Sequence, residues 1–384
     1  MTGHGAAIIG GGIAGTSVAA ELAAAGVERP VLLEAEPELA RHTTGRSAAS
    51  YIPGHGPAPT RALIAASWDR FEVLAQEAGH GFLRPRPVLH VAATAEEERI
   101  LREEVLPLGP VTELTPDEAV RRWPALRPDV VRAAAIVEDA MDADPIGLHQ
   151  HHRQRFRALG GEIRTGTPVV GLERRGAGWR VTTGDGTAGG TSTLDTDVVV
   201  VAAGAWTDRL LALAGAPPIG LTAYRRTIAI ARIPPGAPVR PDDPFAVSAG
   251  DHWYAKPEGQ HLLVSPSEET PQEPGDARPD ELDVALALER VNAVTTLALR
   301  SVVTTWAGQR TFAPDRALVV GDRPEHPGLH VFAGQGGSGI ETAPAAAALA
   351  ASVILAGPDA AEPTPADLRR HGVRAADYSI RRIL

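Results

Sequence analysis

Three glycines near the start of the chain have the types and spacing for chemistry on a phosphate. Gly10, Gly12 and Gly15 occupy the glycine places of G-x-G-x-x-G. The first permits a tight turn, the second lets a pyrophosphate approach the backbone, and the third lets a helix pack closely on a strand. Glu34 stands nineteen residues beyond Gly15, where a carboxylate is placed to accept hydrogen bonds from an adenosine ribose. These residues predict a dinucleotide site; the plainer alternative is a glycine turn in an ordinary βαβ unit. Two later segments, Ala202-Ala203-Gly204-Ala205-Trp206 and Gly334-Gln335-Gly336-Gly337-Ser338-Gly339, also carry glycines after apolar runs. Arg226 begins an apolar run, and Arg310 closes a Trp-Ala-Gly-Gln-Arg segment. A guanidinium holds a carboxylate bidentately and keeps its charge when buried. In a chain rich in arginine the competing reading of both is a surface salt bridge.

Such residues need elements to position them. Residues 6–9 read as a strand, 16–25 as an alanine-rich helix and 31–33 as a second strand. Residues 197–201, Asp-Val-Val-Val-Val, form a run of the kind buried on both faces of a parallel sheet, followed by a helix near Asp208. Helical spacing marks 61–78, 96–106 and 116–123, the last with Thr115 as cap, and Asp144-Pro145 opens a helix to about 159. Short strands are expected at 87–91, 162–164, 169–174 and 179–183, with a turn-rich stretch over 184–192. Strands are also expected at 219–233, 245–248, 253–256 and 261–264. A long helix over 279–299, an extended segment over 301–312, strands at 317–320 and 329–332 and a helix over 341–355 complete the reading. Nucleotide-binding parts therefore lie at both ends and in the middle, with mixed β segments between. Two interleaved domains account for this better than two sequential ones.

The chain has 384 residues, 43% of them hydrophobic, and a net charge of −10. That charge gives no general attraction to nucleic acid or anionic membrane. The absence of cysteine excludes disulfides, thiolate metal sites and a cysteinyl flavin link. No basic segment precedes a hydrophobic one at the start. The longest uncharged, mostly apolar stretch, 343–357, reads as too short and too alanine-rich to cross a bilayer. The expectation is a cytoplasmic, monomeric protein with no membrane span and no nucleic-acid partner. His149, His151 and His152 crowd one helix without an acidic partner at ligand spacing, so no metal is expected. His42, His80 and His90 have no motif and read as structural or surface residues.

Taken together, Gly10 to Glu34, Thr44-Gly45-Arg46-Ser47-Ala48-Ala49, Ala202 to Trp206 and Gly334 to Ile340 resemble, in order, the FAD-dependent D-amino-acid oxidase/dehydrogenase superfamily. That group includes glycine and sarcosine oxidases. Within it the chain is most similar to bacterial D-arginine dehydrogenase-like enzymes, through residues 44–50, Arg61-Ala62-Leu63, Tyr254-x-Lys256-Pro257, Thr305-Trp306-Ala307-Gly308-x-Arg310, His371-Gly372 and Arg381-Arg382. The resemblance implies an α/β fold, a Rossmann-like FAD-binding domain interleaved with an antiparallel-sheet substrate domain. The implied boundaries are 1–80, 140–218 and 305–384 for the cofactor, and 81–139 and 219–304 for the substrate. It implies non-covalent FAD held by Gly10, Gly12, Ile13, Ala14, Gly15, Glu34, Ala35, Thr44, Gly45, Arg46, Ser47, Ala48, Ala49, Val169, Ala203, Gly204, Trp206 and Gly308. Gly336, Gly337, Ser338, Gly339, Ile340 and Glu341 would approach the flavin ring. Arg226, Arg310 and Tyr254 would hold a substrate carboxylate, with Val88, His55 and Gly337 around the rest of the substrate.

Two positions depart from that pattern. Relatives acting on D-arginine carry a glutamate just after the place of Pro85-Arg86-Pro87; here Val88 stands there. A valine leaves a buried guanidinium unpaired, so neutral or apolar side chains are expected instead. Glu341 replaces a neutral glutamine, and reads equally as a base or as an acidic residue in the first turn of a helix. The resulting expectation is oxidation of the Cα–N bond of an amino acid by hydride transfer to flavin, giving an imino acid that hydrolyses to a keto acid and ammonia. The electron acceptor would be oxygen or quinone-like. The alternatives are oxidation of a secondary or cyclic amino acid or of a secondary-metabolite intermediate, a flavin-binding protein without turnover, and a nicotinamide dehydrogenase.

Overall fold

The computed structural model describes residues 3–184, 190–357, 360 and 362–384. The turn-rich stretch expected over 184–192 falls mostly outside them. An eight-stranded sheet carries the glycine motif. At its centre, Glu162–Arg164, Val31–Leu33, His4–Ile9, Thr191–Val201 and Leu329–Ala333 run parallel, with Ile8 beside both Leu32 and Val200. Val319–Asp322 adds an antiparallel edge, and Val169–Arg175 with Gly178–Gly184 forms an antiparallel extension. The Val198–Val201 run sits where strands are covered on both sides. One face packs under the helices Ile13–Ala24, Ala58–Ala78 and Gly339–Ala356, and the other under Leu172, Trp179, Leu211 and Ile380.

The helix Gly339–Ala356 is 18 residues long and, by length and composition, apolar enough to cross a membrane. This is longer than the stretch expected from sequence. Alanines let it lie close against the other two helices, and 72% of it is buried inside the protein. The burial accounts for its apolar character.

A nine-stranded, largely antiparallel sheet stands opposite. Thr222–Arg232 is paired along its length with Val302–Phe312, and on its other side with His261–Ser265 and Thr270–Gln272. Val302–Phe312 thus belongs to this sheet although it straddles the boundary expected at residue 305. Tyr254–Glu258, Phe245–Ser248 and Val88–Ala92 continue the sheet, Val88–Ala92 in parallel. Trp123, Val291 and their neighbours cover the outer face, while Val88, Val137, Ile228, Phe245 and Tyr254 form an apolar layer on the inner one.

Some expected elements are shorter than their pattern suggested. The helix begun by the Thr94 capping box runs only over Ala95–Ile100, then widens into a π turn, Leu101–Val105. Pro107, which has no N–H to give, and Gly109 at φ 156° stop it soon after. The helix expected over 279–299 spans Glu281–Val294, started by the Asp280 side chain and ended where Thr295 turns extended and bridges Leu126.

Candidate active site

A cavity of about 800 Å³ runs between the two sheets. One end is the glycine turn. A Cβ on Gly15 would lie 1.8 Å from the Gly10 carbonyl oxygen, so only glycine lets the helix approach the strand this closely. Thr44 Oγ1 accepts the Ile13 N–H at 3.0 Å, fixing the loop after the second strand onto the start of the first helix. Glu34 holds the turn itself: one carboxylate oxygen accepts the Gly11 N–H at 2.6 Å, the other the Glu36 N–H at 2.8 Å. Lone pairs remain on both oxygens for a ribose.

Nearly all the residues expected at the cofactor and substrate line this one cavity. Gly15, Gly45 and Ser338 do not. Gly15 packs on Gly10, Gly45 on the Ala40 carbonyl, and buried Ser338 begins the Gly339–Ala356 helix. Arg46 lines the cavity, but its guanidinium turns to the Arg41, Ala277 and Ala307 carbonyls and to Asp276. It is a strut between the 44–50 loop and the substrate-side sheet. Lys256 does similar work, donating to the Ala48 carbonyl at 2.9 Å and to Asp142 at 2.8 Å.

At the other end the antiparallel register brings the arginines together. Arg226 lies opposite Gly308 and Arg310 opposite Tyr224, two residues along, so both point to the inner face. Arg226 is 3% exposed, and its Nε and Nη1 have no hydrogen-bond partner. Its Nη2 lies 3.5 Å from Glu269 and 3.7 Å from Asp251, and Glu269 is mainly paired with Arg316. The Arg310 guanidinium packs against Gly337. Burial, reinforced by the Arg226 charge, pushes the Arg310 pKa below its ordinary value against the pull of Tyr254, Asp251 and Glu269. Tyr254 Oη is buried and also without a partner. Buried donors left open around two cations are groups that an anion would satisfy.

The glycines of 334–339 approach the same place. A Cβ on Gly336, at φ 56°, would strike the Phe312 ring at 2.1 Å. Its N–H donates to the Thr311 carbonyl, fastening this turn to the Arg310 strand.

Sequence reasoning left Glu341 undecided and missed its partner. Glu341 is 3% exposed in the first turn of its helix. One oxygen accepts the Ile52 N–H at 2.9 Å and the other lies 2.9 Å from His55 Nδ1. It thus lines the cavity with both oxygens engaged, one of them on His55. The surrounding cavity walls oppose the charged imidazole although its side chain stays 45% exposed, and the Glu341 carboxylate raises the His55 pKa above its ordinary value.

Three other histidines lie at or beside the cavity, His42 and His90 among those without a motif and His149 from the crowded helix. His90 lines the cavity, its pKa lowered to about 4 by burial and the neighbouring His55 charge. His42 lies on Trp206, with ring centroids 4.7 Å apart, inside the same cavity. His149, from the crowded helix, bonds the Gly11 carbonyl at 2.9 Å and so supports the glycine turn. Asp251, at φ 52° in a turn without a motif, is a further cavity residue that nothing in the sequence singled out.

A family model described as FAD dependent oxidoreductase matches residues 6–353. Glycine oxidase of Bacillus licheniformis is 25% identical over 369 residues, covering 91% of this chain and 93% of its own length. The crystal structure of L-proline dehydrogenase from P. horikoshii is similar at a TM-score of 0.80 and 21% identity, covering 93% of this chain and 95% of that one. Glycine oxidase from Geobacillus kaustophilus gives 0.78 and 23%, covering 93% and 96%. At these identities the solved structures establish the fold. The residues present fit FAD: the cavity is continuous from the close-packed glycine turn to the bare backbone of Gly336 and Gly337. The chain belongs to the family of FAD dependent oxidoreductases.

Proposed function

We propose that this enzyme oxidises the Cα–N bond of an amino acid, a D-amino acid with a neutral or apolar side chain. The observation that carries the reading is the set of open donors, Arg226 Nε and Nη1 and Tyr254 Oη, beside Arg310. A carboxylate is the group whose shape and charge use them all. When bound, FAD supplies a two-electron acceptor for the Cα hydride. The residues supply orientation: a carboxylate anchored on Arg226, Arg310 and Tyr254 leaves Cα beside the Gly336–Gly337 backbone. Orientation of this kind accounts for much of the rate in such reactions.

Val88 is 1% exposed and packs with Val137, Ile228 and Phe245. This layer supports an apolar side chain and argues against D-arginine, whose guanidinium would go unpaired there. In this reading 1–80, 140–218 and 305–384 hold the cofactor, and 81–139 and 219–304 the substrate, with the Arg310 end of Val302–Phe312 crossing to the substrate side. The neighbour named L-proline dehydrogenase favours a second reading, oxidation of a secondary or cyclic amino acid. Anaerobic bleaching of the flavin by a panel of D-, L-, N-methyl and cyclic amino acids tests both. Bleaching by apolar D-amino acids supports the first, and bleaching by sarcosine or proline alone supports the second. A flavin that binds and never bleaches refutes both and leaves a binding protein without turnover. Admitting air afterwards separates oxygen from a quinone-like acceptor.

A further inference from the structure

An amino acid arrives as an ammonium, and its nitrogen must lose a proton before the lone pair can drive hydride departure from Cα. Resting on the amino-acid reading above, we infer that His55 accepts this proton at Nε2, with Glu341 as its positioning residue. His55 Nδ1 faces Glu341 at 2.9 Å, so the carboxylate fixes the tautomer that carries the proton on Nδ1 and leaves Nε2 as acceptor. The ring lines the cavity, and its Nδ1 lies 3.5 Å from Ser338 Oγ, one residue from the Gly337 on which Arg310 packs. A carboxylate on Arg310 therefore carries its α-nitrogen to the His55 side of the cavity. In the step the N–H bond breaks, a bond to Nε2 forms, and the electron pair stays on nitrogen.

The electrostatics favour the transfer. The groups facing His55 are Glu341 and Ser338 from the long helix and its start, Arg310 from its strand, Asp251 from its turn, and His90 from the Val88–Ala92 strand. Glu341 stabilises the imidazolium that forms against the opposing charge of Arg310, and the two arginines disfavour an ammonium beside them.

The test is rapid anaerobic reduction of the FAD-loaded enzyme across pH, using the amino acid that bleaches it fastest, together with titration of the His55 ring by NMR with labelled histidine. In the wild type the reduction efficiency should rise through an ionisation that matches the His55 titration, apart from that of the amine. His55→Gln should lose this limb and fall about 10²-fold at neutral pH, and imidazole should restore rate to His55→Ala. Glu341→Gln can still accept the Ile52 N–H, so the loop is kept. Its His55 titration and rate limb should move together to lower pH. Wild-type rates and limb in His55→Gln, or a limb unmoved in Glu341→Gln while the ring titration moves, overturn the inference and leave amino-acid oxidation standing. A wild-type flavin that no amino acid bleaches overturns both.

Discussion

Arg226→Met should cost substrate binding and increase stability, and the two effects have the same source. Arg226 Nε and Nη1 are buried without a protein partner, each a penalty of about 1–3 kcal/mol where nothing else satisfies it. Methionine fills similar space with no donor. The carboxylates nearby are not stranded, because Glu269 keeps Arg316 at 2.7 and 3.1 Å and Asp251 is exposed. Removing the arginine also relieves the charge that depresses the Arg310 pKa. Thermal unfolding of the FAD-loaded variant, in buffer free of small carboxylates, should show a gain on the order of 1–3 kcal/mol, less than the two penalties together because the Nη2 contacts with Glu269 and Asp251 are also lost. Two hydrogen bonds to a carboxylate are lost, at roughly 1.5–3 kcal/mol each. The substrate Kd from anaerobic flavin reduction should rise about 10²- to 10⁴-fold. A folded, flavin-loaded variant whose Kd stays within threefold of wild type would refute the assignment of an anion site. A loss of stability would refute the claim that the donors are unsatisfied.

Gly15→Ala sets a methyl group against the Gly10 carbonyl, and about 1–3 kcal/mol of overpacking should weaken FAD binding by tenfold or more, read as flavin retained through gel filtration. Val88→Glu places a carboxylate in the apolar layer. It should make basic amino acids the faster reductants and slow apolar ones by roughly 10- to 200-fold, checked with the same panel. His152 is buried, has no partner on either ring nitrogen, and its pKa is lowered to about 3 by burial. The unfolded chain therefore binds a proton between about pH 6.5 and 3 that the folded chain refuses, and stability falls as pH drops through that window. His152→Leu should flatten this part of a denaturant-midpoint profile against pH, and an unchanged slope would count against the burial argument.

The parts of the fold that depend on neighbours in sequence were legible. A glycine at position 15 answers a contact with position 10, and the valines before Ala202 announce a strand covered on both faces. The arginines were legible as chemistry, but their meeting depends on a register between strands some eighty residues apart. His55 and Glu341 lie 286 positions apart, and no spacing rule links them. His149 looked like one of three crowded histidines because its target, a backbone carbonyl, has no signature. The helix expected over 96–106 keeps turning to Leu108 but widens at residue 101, and the one at 281–294 stops early at a bridge to a distant segment, neither of which periodicity reports.

The cavity takes one wall from residues 9–14 and another from 335–341, and the helices that follow each wall pack on one another. During synthesis, the adenosine cradle leaves the ribosome first and stays half-built for most of translation. A nascent chain has no complete pocket to offer FAD until residues 335–341 emerge. Capture of the cofactor by the complete pocket thus falls at the close of synthesis. Because binding favours only the assembled state, the supply of flavin in the cell sets how much newly made chain is held in the finished form.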